Sequence, residues 1–414
     1  MKNCVLTILL VTVLAGHSYS QHTQNEFSPQ RIILNLTQDP SHSMAVTWRT
    51  ESEITNPVVQ ISEAGSFTEF AENSRNFYAS KEKINPDSGK SVFYYSVVTN
   101  ELKPSTLYAY RVGGDEGFSE WNQFTTADDK TSPLTFAFFG DPQDDINEYC
   151  SRVFRQAYKE APEANFWLFT GDITTEPADR LWGEFYQAGG FIFREVPLIL
   201  TPGNHDMKYK VENGNYVLDK KGKKARTKEV APLWRAQFTL PDNGPDGFSE
   251  TSYFVDYQGV RFIMINSNNK LNEQAKWLDS ILTDNKNMWT VVSFHHPVYS
   301  SGRERNDKST RNAFLTVFDK NNVDLILQGH DHSYARSYKL KNGLRVNDNE
   351  KGTVYVTSVS GPKAYIVNSL YSSLMAKMGT NLQLFQLISI DKDRLSFKSF
   401  TAEGALYDSF ELTK

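Results

Sequence analysis

The spacing of apolar residues changes near residue 130, and the two halves predict different elements. Over residues 27–127, short apolar runs at 32–36, 44–48, 93–98 and 108–112 are broken by turn residues at Asp39-Pro40, Pro86-Asp87-Ser88-Gly89 and Gly113-Gly114. Short strands of this kind, with Trp48 as a core candidate on an early one, predict an all-β sandwich of about 100 residues. The polar stretch from Ala127 to Pro133 ends that unit. From residue 133 to 414 the texture becomes longer apolar strands alternating with amphipathic helices. Strand runs fall at 134–139, 166–170, 196–200, 291–294 and 323–327, helical stretches at 272–286 and 310–320, and further strands at 353–356 and 382–390. That alternation predicts an α/β domain with a largely buried sheet. Residues 208–250 read as an irregular insertion. Within it Lys220, Lys221, Lys223, Lys224, Arg226 and Lys228 crowd together, either as a solvated loop or as an electropositive rim that attracts phosphate.

Each strand of the second unit runs into a polar string. Phe139 leads to Gly140-Asp141-Pro142-Gln143, Thr170 to Gly171-Asp172, and Leu200 to Gly203-Asn204-His205-Asp206. Phe294 leads to His295-His296-Pro297, and Leu327 to Gly329-His330-Asp331-His332. Loops at the C-terminal ends of strands in an α/β sheet gather in one crevice, which brings these strings together. Imidazoles, carboxylates and amide oxygens in one place are ligands for Zn, Fe or Mn, and a carboxylate can bridge two ions. Any one string alone reads more readily as a turn or an ordinary core or surface residue than as a site. Five in succession, each after an apolar strand, point to a metal centre.

Composition adds limits. The 414 residues carry 44 Lys+Arg against 49 Asp+Glu, a formal charge of −5, which implies no nucleic-acid partner. Lys2, the apolar run 5–15 and Ser18-Tyr19-Ser20 form a secretory signal over residues 1–20, cleaved before Gln21, so the chain is expected to be secreted or periplasmic. No other run approaches the roughly 20 apolar residues of a membrane span. Cys4 leaves with the signal, and Cys150, on the helical-spacing stripe Ile146, Tyr149, Cys150, Val153 and Ala157, is expected in the core. Of the 8 histidines, those of the polar strings make up the larger part. Asn35-Leu36-Thr37 is a glycosylation sequon, and oligomeric state has no readable signature.

The ordered strings resemble the calcineurin-like metallophosphoesterase superfamily. Gly329 to Arg336, with Phe238-Thr239-Leu240-Pro241-Asp242-Asn243-Gly244-Pro245, resemble purple acid phosphatases most closely. Those proteins carry an N-terminal fibronectin type III-like domain, and Leu102 to Tyr108 is similar to the corner at which such domains tie a loop down with a Tyr hydroxyl. The resemblance implies a β-sandwich core flanked by helices for the second domain, and two bound metal ions. Asp172 bridges both ions, Asp141 and His332 complete the first, and Asn204, His295 and His330 the second. His205 reaches the phosphate as proton donor or charge stabiliser, while His296 matches no ligand position and touches a ligand instead.

The resemblance further implies a secreted, acid-phosphatase-like phosphomonoesterase using a metal-bridging hydroxide on small phosphoesters. A phosphodiesterase on the same site, or a non-catalytic secreted binding module, is the alternative. Two positions depart from the family pattern. Thr175 stands where the purple enzymes place a Tyr, and Gln143 where they have Gly, so Gln143 is a candidate amide ligand and a divalent pair is favoured.

Overall fold

Trp48 shows how the first unit is built. It lies in the strand Met44–Thr50, is fully buried, and stacks on Tyr95 of the strand Val92–Thr99. The computed structural model describes residues 25–414, so the signal segment and Cys4 lie outside the described residues. Two antiparallel layers face each other around this Trp. One contains Gln30–Asn35, Met44–Thr50, Val92–Thr99 and Ser80–Ile84, and the other Val58–Glu63, Leu107–Gly114 and their neighbours. The Tyr108 hydroxyl accepts a hydrogen bond from the Lys103 amide at 2.8 Å, the loop tie expected at that corner.

The second unit is a sandwich of two sheets with helices on both outer faces. Alternation along each strand assigns the faces. Phe262 and Met264 of Val260–Ile265 turn inward, and Phe262 meets Phe136 and Phe166 of the other sheet edge-on at 5.1 and 5.0 Å. Ile263 and Ile265 turn outward and pack with Leu278 of the helix Leu271–Thr283 and with Phe314 and Phe318 of the helix Lys308–Asn321. On the opposite outer face Phe139 and Phe169 pack on Phe154 of the helix Ser151–Glu160. Each such aromatic, fully buried, contributes roughly 1.5–3 kcal/mol. Among the described residues no helix is long and apolar enough to cross a membrane.

The two units share a sheet, which the alternation of apolar residues does not reveal. Gln30–Asn35 pairs in parallel with Leu198–Leu200 through Asn35 and Leu198, joining both into one 10-stranded sheet. Arg31 and Arg49 both bind Asp179 across the junction, at 2.8 and 3.0 Å. Asn35 is fully buried there, its amide donating to the Leu198 carbonyl and accepting from the Thr239 amide. The sequon is therefore closed to glycan attachment in the folded chain.

Two further local readings change. The insertion 208–250 is not irregular throughout: Met207–Tyr209 pairs with Arg226–Val230, and Val211–Glu212 with Asn215–Tyr216. Cys150 is buried as expected, but it ends a π-helical turn, Ile146–Cys150. Its thiol donates to the Pro142 carbonyl at 3.0 Å, and burial pushes its pKa up, so it is a poor nucleophile.

Candidate metal centre

The strands Leu134–Phe139, Phe166–Phe169 and Leu198–Leu200 run parallel in one sheet, and Trp289–Phe294 and Leu325–Gln328 run parallel in the other. Their C-terminal ends meet at one edge of the sandwich. That register brings Asp141, Gln143, Asp172, Asn204, His295, His330 and His332 together. Ligand atoms of Asp141, Asp172 and His295 lie within 4.8 Å of one another, all three buried.

His295 is the centre of the arrangement. Its Nδ1 donates to the Thr170 carbonyl at 2.8 Å, so the neutral ring turns the Nε2 lone pair inward. Around that nitrogen stand Asp172 Oδ2 at 3.2 Å, Asn204 Oδ1 at 3.2 Å and His330 Nδ1 at 3.0 Å. Convergent lone pairs of this chemistry are what a cation satisfies. Without a cation a proton takes its place. Burial opposes the charged ring, but Asp172 and Asp141 outweigh burial and raise His295 to about 9.

The carboxylates divide accordingly. Against the opposing effect of burial, His295 and His205 hold Asp172 well below the ordinary range. Burial, reinforced by Asp172, raises Asp141. His332 Nε2 lies 3.5 Å from Asp141 Oδ2, and burial, with Lys363 beyond it, pushes that ring down to about 3. Gln143 presents its amide nitrogen, 3.2 Å from Asp172 Oδ2 and 3.0 Å from His332 Nε2, while its buried oxygen and His332 Nδ1 have no partner among the described residues. A half-turn of the amide is needed before the Gln143 oxygen can ligate.

Backbone strain is concentrated here. Asp141, Asp172, His330 and His332 all have positive φ, at 37°, 47°, 71° and 45°. Left-handed conformations at non-glycine residues cost of order 1–3 kcal/mol each and persist where surrounding structure enforces them. The glycines of the strings serve the same end: a Cβ on Gly203 would collide with Asp172 Oδ1, and one on Gly329 with Asp141 Oδ1.

His205 stands at the rim. Its backbone amide donates to Asp172 Oδ1 at 2.6 Å and its Nδ1 to the Thr175 carbonyl at 2.5 Å. Burial lowers its pKa, and Arg226 and Lys363 add to this. The Thr175 hydroxyl is turned to Asp144, away from the ligand set. His296 lies closer in than a mere neighbour of a ligand: its ring is 4.5 Å from that of His330, and it joins His295 and His330 in a second group within 4.8 Å. Its Nδ1 pairs with Ser267 Oγ at 2.8 Å, and burial followed by His295 pushes it down to about 3.

One functional residue is hidden in the basic run. Arg226 donates to the carbonyls of His205 at 2.6 Å, Met207 at 2.9 Å and Thr175 at 3.0 Å. It thereby staples the two loops that carry His205 and its acceptor. The crowd of lysines beside it offers no sequence signal that this one side chain turns inward. Arg226→Met is expected to keep metal while kcat falls roughly 10–100-fold with a smaller change in KM. Arg226→Lys should recover little, because an ammonium cannot span three carbonyls as the guanidinium fork does. Steady-state kinetics beside metal analysis checks both.

The profile described as Purple acid Phosphatase, N-terminal domain, matches residues 29–126, and that described as Calcineurin-like phosphoesterase matches residues 134–334. A phosphoenolpyruvate phosphatase of Allium cepa is 25% identical over 341 residues, covering 77% of this chain; the chain spans 65% of that protein's length. Probable purple acid phosphatase 20 of Arabidopsis thaliana is 27% identical over 357 residues, covering 80% of this chain and 77% of the relative. Among solved structures, purple acid phosphatase PPD1 from yellow lupin seeds (Lupinus luteus) superposes with a TM-score of 0.77 at 18% identity, covering 93% of this chain and 74% of that one.

Proposed function

The chain belongs to the calcineurin-like phosphoesterases, a family of metal-dependent phosphatases, with the two-domain plan of the purple acid phosphatases, and from that premise we propose a secreted phosphomonoesterase that works with two metal ions. The observation that carries this reading is the ring of lone pairs around His295 Nε2. Asp172 would bridge the ions, with Asp141, His332 and, after its half-turn, Gln143 on one, and Asn204, His295 and His330 on the other. Two such cations, when bound, supply a water nucleophile at neutral pH and neutralise phosphate charge. The chain's own groups do the rest. Asp141 and Asp172 hold the charge, the strained loops fix the ligand directions, and His205 faces the departing oxygen. Secretion rests on the leader-like sequence of residues 1–20.

Elemental analysis paired with hydrolysis of p-nitrophenyl phosphate and bis-p-nitrophenyl phosphate tests the proposal. Two equivalents of metal and preference for the monoester are expected; preference for the diester supports a phosphodiesterase, and a metal-free, inactive protein overturns the assignment. With no phenolate at Thr175, the metal-loaded protein is expected to be colourless. An intense visible band abolished by a Tyr substitution would contradict this.

Metal uptake must also expel protons. His295, raised to about 9, is an imidazolium at neutral pH, and Asp141 is raised by burial. Metal affinity is therefore expected to climb as pH rises toward about 9, with protons released on binding. Calorimetric titration in two buffers of different ionisation enthalpy reads that release directly.

A further inference from the structure

A cavity of about 480 Å³ opens outward from Asn204 and His296. One wall is the strand Arg226–Val230, the other the turn before the helix Leu271–Thr283, and Lys228 Nζ spans them by donating to the Asn268 carbonyl at 2.9 Å. The size suits a small organic ligand. The charge of the lining is what distinguishes it. Arg226, Lys228 and Lys270 contribute cations, and among the described residues Asp307 is the single carboxylate on the wall. Asp307 is engaged as the cap of the helix Lys308–Asn321, accepting from the Thr310 amide. Among the described residues neither Arg226 nor Lys228 has a carboxylate partner; both donate to backbone carbonyls. Lys270 has only the exposed Glu273, at 3.3 Å. On the other flank a cleft lined by Asp144, Asp145 and Glu176, with Arg180 and Lys363, has the opposite balance.

A phosphate held by the ligand set needs no more cations than the ions beside it. Cations beyond His296 lie outside the ligand set, on the side where the remainder of a bound substrate would extend. Resting on the phosphatase reading, we propose that this cavity receives that remainder and selects phosphoesters carrying a second anionic group, a carboxylate or a phosphate. The neighbouring acidic cleft repels such a group, so the two flanks act together in orienting it. The amides and hydroxyls on the wall, Asn268, Asn269, Ser267 and Ser309, suit a polar, hydroxylated skeleton rather than an aryl one.

The test compares glycerol phosphate, phosphoglycerate and propanediol bisphosphate, which share a short alkyl skeleton and differ in the second group. The metal-loaded wild type is expected to show kcat/KM roughly tenfold higher for an anionic partner than for glycerol phosphate, two partly exposed charge contacts being worth about that much. The preference should shrink as ionic strength rises. The order of phosphoglycerate and the bisphosphate tells carboxylate from phosphate as the better fit. In the double variant Lys228→Met, Lys270→Met the ratio should fall to about one, and in Lys228→Glu it should invert. Equal kcat/KM for all three substrates in the wild type overturns the inference and leaves the phosphatase reading standing. An unchanged ratio in both variants overturns it as well. Hydrolysis of none of the three overturns the phosphatase reading and takes this inference with it.

Discussion

Asp172→Ala is expected to lose bound metal and phosphatase activity together, the activity by at least about a thousandfold, which is on the order of 4 kcal/mol of transition-state stabilisation. The carboxylate meets three groups. It lies 3.2 Å from His295 Nε2, accepts from the His205 amide and from Gln143, and its environment holds it ionised. On the proposed two-metal reading, no neutral side chain can replace the charge of a bridging carboxylate. The metal-free variant should also lose stability, because His295 keeps its burial and loses its main partner. The pH dependence gives the sign. His295 is raised above its unfolded value, so its stabilising contribution is complete below about 6.5 and disappears as pH rises through about 9. Asp172 is lowered, so its contribution is present above about 3.9 and disappears as pH falls below that. The gap between wild type and variant is thus widest between about 4 and 6.5 and closes on either side. Denaturant melts across pH, run without metal, measure it. Asp172→Asn separates folding from metal binding: an amide tolerates the left-handed backbone at φ 47°, so this variant should fold yet remain metal-poor and inactive. Full activity in Asp172→Asn would remove Asp172 from the bridging position.

Much of this centre is legible in the sequence, because strand ends and ligand types are local properties. The run 134–139 is the observed strand Leu134–Phe139, and 272–286 and 310–320 lie close to the helices Leu271–Thr283 and Lys308–Asn321. All seven candidate ligands are brought to one edge because each follows a buried parallel strand. What is not legible depends on contacts between distant segments. Asn35 reads as a surface sequon, yet it is the residue through which the first sheet continues into the second. Arg226 reads as one more charge in a basic run, and only the positions of three carbonyls reveal its inward turn. Lys228 and Lys270 stand 42 residues apart in number and face one cavity.

Backbone strain was equally hidden, and it bears on function. Asp, Asn and His are the non-glycine residues that best tolerate the left-handed region, and they are also metal-ligand types. Four ligand candidates in that conformation therefore look unremarkable as a string of letters. In the fold they constitute a stored cost of several kcal/mol that hydrogen bonds such as that of the His330 amide to Asp141 hold in place. For these four residues the backbone directions are set before any cation would arrive, whereas the Gln143 amide would still have to turn.

His205→Ala is expected to keep its metal and turn over about 10²–10⁴-fold more slowly on alkyl phosphates. The backbone amide that donates to Asp172 and the carbonyl that accepts from Arg226 both survive the substitution, so the loop should hold its shape. Only the imidazole is lost. Its Nδ1 proton is committed to the Thr175 carbonyl, so Nε2 carries a proton only when the ring is an imidazolium. Burial lowers that pKa, and the protonated fraction grows as pH falls through it. Wild-type turnover of alkyl phosphates should accordingly rise toward acid pH until the metal ligands begin to protonate, and the variant should lose this rise. p-Nitrophenyl phosphate divides the two possible roles, since its leaving group departs without a proton. If His205 donates a proton, the aryl ester should lose far less than the alkyl ester; if it only steadies charge, both should fall alike. A metal-replete His205→Ala protein with undiminished kcat on both esters would exclude either role.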